Sequence, residues 1–81
     1  MNLKRYWSRV KIKQFFNKSD EWTRVFIKGL EESGRYPPET VIRDGIRNVL
    51  VIEWAIADWA KYRKQIERGI VVPPYKERRQ L

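Results

Sequence analysis

The chain has 81 residues, 18 Lys and Arg against 10 Asp and Glu for a net charge of +8, and neither Cys nor His. That length allows one domain with a small core, and the composition excludes disulfides, the usual thiolate and imidazole zinc ligands and the commonest catalytic bases and nucleophiles, so neither an enzyme nor a cofactor is expected. Association between copies is the remaining route to added stability, and the charge favours nucleic acid, an acidic membrane surface or an acidic protein as partner.

The charge is unevenly spread. Residues 1–18 hold six basic groups and no acid, residues 19–60 five basic and eight acidic, and residues 61–81 seven basic and two acidic. The middle reads as a body and the ends as basic contact surfaces. The most apolar run, Val49 to Ala57, is interrupted by Glu53 and is half the length of a membrane span. No membrane association is expected. No secretory signal is visible, and the chain is read as cytoplasmic and nucleoid-associated, or as lying in a host cytoplasm if virus-encoded.

In chain order, Ser8 to Phe16 comes first. Arg9, Lys11 and Lys13 alternate with Val10, Ile12 and Gln14, and a period of two with β-branched residues predicts a half-buried strand. The bland alternative is an edge strand guarded by lysines. Asp20 to Ser33 follows as a helix. Ser19 or Asp20 can cap it, Trp22, Phe26 and Leu30 recur at helical spacing, and Gly34 suits its left-handed end. Gly29 inside it weakens the helix by roughly 1 kcal/mol relative to Ala. Pro37 and Pro38 then precede a third pattern running to about Arg68, read as one long helix with room for a break near Ala55 to Asp58 and an end at Gly69. Ile70 to Tyr75 reads as extended, before the charged tail of residues 76–81. Trp22, Trp54 and Trp59 read as core, whereas Trp7 shares the parity of Arg9 and Lys11.

A lone strand leaves a row of backbone groups unpaired. A second copy, antiparallel across a two-fold axis, would pair them; the intramolecular alternative is pairing of Ile70 to Val72 with residues 9–13. The run Val49 to Ala57, apolar on nearly every face of a helix, also asks for a partner subunit. The expectation is therefore a mainly α homodimer with one short strand per chain. Residues 1–52 would form its DNA-binding core and residues 53–81 a helical extension and basic tail that serves a partner or steadies the dimer. Val10, Ile12, Phe26, Ile42, Ile46, Val49 and Leu50 would line the dimer core.

A two-stranded ribbon fits the major groove of DNA. Arg9, Lys11 and Lys13 would project from it as base-contacting residues. Lys4, Arg5 and Lys18 would hold phosphates, and the start of the third element at Glu39 and Thr40 would offer backbone N–H groups to another.

The stretch Phe26 to Leu50 resembles the ParD-type antitoxins of the ribbon-helix-helix superfamily. The resemblance lies in Phe26 and Ile27, in Ser33, Gly34, Arg35 and Tyr36 at the turn, and in Val41, Ile42, Arg43, Gly45, Ile46 and Arg47 beyond it. It covers about 25 residues of the 81. The run Arg9 to Lys13 is similar to the DNA-reading strand of the wider Arc, MetJ and CopG group. This resemblance implies a β-α-α homodimer that represses transcription from a short palindromic operator. Its antitoxin version has residues after Trp54 neutralise a ParE-like toxin. A third reading, from another class, is a basic protein-interaction module with no DNA role.

Overall fold

A computed structural model of the chain describes residues 5–45 and 48–75. Lys4, Ile46, Arg47 and the tail 76–81 lie outside the described residues. Tyr6–Ser8 form a short strand, β1. The next residue already belongs to a helix, α1, spanning Arg9–Phe16. Ser8 makes this switch: its backbone is extended, and its Oγ accepts from the Lys11 N–H at 3.2 Å, as an N-cap does.

The expected strand over residues 8–16 is thus corrected to a helix. Six alternating residues are too few to separate the two periods. At helical spacing, Ile12 and Phe16 share a face, and Ile12 is fully buried while Val10 stays 59% exposed. A strand would have turned Val10 and Ile12 to the same side. Burial of the Ile12–Phe16 pair beside Phe26 selects the helix.

The second helix, α2, spans Asp20–Glu32, close to expectation. Ser19 caps it by accepting from the Trp22 N–H, and Asp20 and Glu21 occupy its first turn. Gly34 follows at φ 70, a left-handed position that favours Gly.

The long third helix is also corrected. Pro38–Thr40 make only a 3-10 turn. Val41–Asp44 form strand β2 and Asn48–Ile52 form strand β3. The helix of this region, α3, begins at Glu53 and runs to Glu67. Asp44-Gly45 marks the hairpin turn, with Gly45 at φ 81, and Asp-Gly between β-branched runs is a hairpin signature. The apolar run Val49 to Ala57 therefore divides between a central strand and one face of a helix, each of which is covered by this chain.

The three strands form one antiparallel sheet in the order β1-β3-β2. Trp7 and Val41 both lie opposite Val51. So β1 finds its partner inside the chain, through β3 rather than through residues 70–72. The described residues thus make a small domain, mainly α, with a short first strand, three helices and a small sheet.

One apolar cluster holds these parts together. Ile12 of α1, Phe26, Ile27 and Leu30 of α2, Val49, Val51 and Ile52 of β3, and Ala55, Ile56 and Trp59 of α3 are all buried in it. Each large side chain buried there contributes roughly 1.5–3 kcal/mol. α3 ends as the sequence suggests: Gly69 sits at φ 76, its N–H bonds to the Ile66 carbonyl, and the Ile70 N–H reaches back to Gln65 at 2.9 Å. This pair of bonds is a Schellman closure. Among the described residues, no helix is long and apolar enough to cross a membrane.

Candidate nucleic-acid interface

α1 and α2 are joined by three residues, Asn17 to Ser19. Asn17 takes the left-handed conformation, φ 54 and ψ 52, which Asn tolerates better than most residues. Its N–H bonds to the Gln14 carbonyl and that of Lys18 to the Lys13 carbonyl, each at 3.2 Å. The carbonyls at the end of α1 are thereby satisfied and the chain is redirected. Ser19 then opens α2. The Thr23 hydroxyl, fully buried, donates back to the Ser19 carbonyl at 2.9 Å, tying the turn to the second helix.

The two faces of α2 differ sharply. Phe26, Ile27 and Leu30 fix one face in the core. Glu21, Arg24, Val25 and Lys28 lie exposed on the other, spaced three and four apart so that they form a single stripe. Val25 is 55% exposed although apolar. The Arg24 side chain makes no hydrogen bond or ion pair with the described residues. Lys28 meets Glu32 only at 3.9 Å, both well exposed, a contact worth little in water.

The hairpin is held against this helix. Arg43 of β2 grips Glu31 of α2 with both arms of its guanidinium, one of them at 3.1 Å through Nε. The hydrogen bonds and charge of Glu31 raise the Arg43 pKa further. Arg24, Val25, Lys28, Glu31, Glu32 and Arg43 together line a groove between α2 and the hairpin.

The residues expected to read bases sit elsewhere than a ribbon would place them. Arg9 is half-buried at the start of α1. The Lys11 ammonium lies 4.6 Å from the centre of the Trp7 ring, and Lys13 pairs with Asp20 at 3.1 Å. Among the residues expected to hold phosphates, Lys18 is exposed in the turn, 5.8 Å from the Trp22 ring centre, and Arg5 precedes β1. Glu39 is exposed, and its carbonyl accepts from the Tyr6 hydroxyl at 3.1 Å. Thr40 is buried in the 3-10 turn. No long helix starts there, so that anion site is corrected: one short turn does not supply it. Of the expected dimer-core residues, Ile12, Phe26 and Val49 are buried within the one chain, Ile42 and Leu50 are half-buried, and Val10 is exposed.

The sequence reading gave no role to Arg24, Val25 or Lys28, and Arg43 entered it only through the family resemblance. The signal was present. Arg24 and Lys28 stand four apart on the side of the second helix away from Phe26 and Leu30, and Asp44-Gly45 announced the hairpin.

Behind the interface, Arg35, Tyr36 and Asp58 lock the loop after α2 onto α3. Arg35 donates to both oxygens of Asp58, at 2.7 and 3.1 Å, and to the Pro73 carbonyl at 2.6 Å. The Tyr36 hydroxyl donates to the same carboxylate at 2.7 Å. Burial, and next the hydrogen bond to Asp58, push the Tyr36 hydroxyl well above its ordinary pKa. The Asp58 hydrogen bonds likewise raise that of Arg35. Tyr75 packs edge-on against Tyr36, 4.7 Å between ring centres, which holds the segment after α3 against the body.

Comparison of the chain with protein-family models, with curated proteins and with solved structures finds no match in any of them.

Proposed function

We propose that the protein is a sequence-specific transcriptional repressor that binds double-stranded DNA with α2 in the major groove. One observation carries this reading: Arg24, Val25 and Lys28 form an outward stripe on a helix held from behind by the core and joined to its predecessor by a three-residue turn. Two helices joined so tightly are the arrangement of the helix-turn-helix motif, whose second helix reads base edges. Arg and Lys suit the guanine O6 and N7 acceptors, and an exposed aliphatic group suits the thymine methyl. Lys18 in the turn suits a phosphate contact, which positions the protein without reading sequence.

DNA is one of the three partner classes the charge favours, and the proposed reading element is a helix instead of a ribbon. A palindromic operator would bind two copies as a homodimer, one per half-site, their helices about 34 Å apart. The antitoxin alternative needs residues after Trp54 for a toxin. α3 commits Ala55, Ile56 and Trp59 to this chain's own core, so in that alternative a toxin would meet the outer face of α3 and the segment after it.

Selection of binding sites from a randomised duplex pool at about 150 mM salt tests the proposal, because purely electrostatic binding is much weakened there. The expected result is a short consensus. Arg24→Ala should lower affinity for it by about 5- to 150-fold, the equivalent of 1–3 kcal/mol, with an unchanged circular dichroism spectrum. No enrichment, or an enriched site bound equally by Arg24→Ala and Lys28→Ala, would overturn it.

A further inference from the structure

We propose that Trp7, Lys11 and Phe15 form a docking surface for an acidic, amphipathic protein segment, separate from the helix face assigned to DNA. Phe15 is 67% exposed, and neither the core nor the stripe on α2 uses it. Its ring meets Trp7 edge-on, 5.1 Å between centres. It is also backed by Phe16 at 5.1 Å, which in turn packs on Trp22 and Phe26 at 5.4 Å each. A line of aromatic contacts thus runs from the buried core to the surface and holds the outermost ring in place. Exposed aromatic groups so supported, on an otherwise polar surface, are characteristic of protein contact sites.

Charge selects the occupant. Arg9 and Lys11 lie on the same helix, Lys18 follows it, and residues 1–18 contain no acid. A second copy would bring a like-charged patch to this surface, and like charges facing each other are costly. Stacked nucleobases are disfavoured by geometry. They need open ring faces, whereas one face of Trp7 is covered by the Lys11 ammonium at 4.6 Å and the Trp7 and Phe15 rings stand at 66° to each other. A segment with apolar side chains toward Phe15 and carboxylates toward Lys11 and Arg9 satisfies both features.

The test uses the full chain and a fluorescein-labelled helical peptide of about 16 residues. Leu and Trp occupy one face of the peptide and Glu the other; the control replaces every Glu with Lys. Fluorescence anisotropy should show micromolar binding of the acidic peptide and none of the basic one. Phe15→Ser and Lys11→Glu should each weaken binding at least about tenfold, with melting curves and selected DNA consensus unchanged. Absence of binding, or equal binding by both variants, would overturn the proposal. So would self-association of the wild type that Phe15→Ser abolishes, which would make a second copy the occupant. A uniform loss of affinity for all duplexes in Phe15→Ser would assign the surface to nucleic acid instead.

Discussion

Asp58 receives three hydrogen bonds, two from Arg35 and one from Tyr36, in a partly buried site where charged hydrogen bonds are strong. Removing the carboxylate would strand a guanidinium, so Asp58→Ala should cost about 2–3 kcal/mol in chemical denaturation. The same cluster makes stability depend on alkaline pH. Tyr36 has a folded pKa above its ordinary value of 10.0, so in the window above that value the unfolded chain loses its proton first. The contribution is complete below about pH 10 and is lost as the pH rises further. Stability measured at pH 9 and pH 11 should fall less in Tyr36→Phe than in the wild type, since the variant has no such proton to lose. An equal decline in both would mean that Tyr36 does not contribute to it.

At the scale of elements, α2 and α3 meet at Gly29. A methyl group there would sit 3.0 Å from Cζ2 of the buried Trp59 ring, closer than packed atoms allow without movement. The helix-propensity penalty of Gly, roughly 1 kcal/mol relative to Ala, is thus the cost of close approach between two helices. Gly29→Ala should be near neutral, its propensity gain offset by displacement of Trp59. Gly29→Val should destabilise by about 1–3 kcal/mol through overpacking. Thermal denaturation of the pair checks this, and a Gly29→Val protein as stable as the wild type would refute the close contact. The first helix teaches a different lesson. Val10 and Ile12 satisfy a strand pattern, Ile12 and Phe16 a helix pattern, and eight residues do not separate them. Ser8 capping α1 and the Phe16 contact with Phe26 decide the matter, and the second of these joins residues ten apart in the chain.

At the scale of the whole molecule, the described residues of one chain give every strand of the sheet a partner and share one core. β1 and β2 flank β3, and all three helices contribute to one apolar cluster. Under the proposed function, a homodimer is a property of the DNA complex and not a condition for folding. The guanidinium unfolding midpoint should be independent of protein concentration between micromolar and hundred-micromolar samples; an obligate dimer would show a midpoint rising with concentration. The net charge of +8 bears on binding and not on the fold. With about five phosphates neutralised, log affinity for DNA should fall with log salt at a slope of about −4 to −5, while Arg24→Ala changes mainly the intercept for the selected site.

By itself, the sequence determined the second helix with a cap at Ser19 or Asp20 and its Gly34 end, the close of the last helix at Gly69 and the strongly basic charge balance. Each of these rests on local chemistry: a side chain capping the next turn, a glycine free to take positive φ, a count of charges. Tertiary structure decided the rest. It turned residues 9–16 into a helix, divided residues 38–67 between a hairpin and a helix, and gave β1 a partner inside the chain. Apolar runs of eight or nine residues satisfy more than one period. Only the burial of Ile12, Val51 and Trp59 in one shared core, contributed by elements tens of residues apart, selects among them. The same packing turned Phe26, Ile27 and Leu30 inward and left Arg24, Val25 and Lys28 outside.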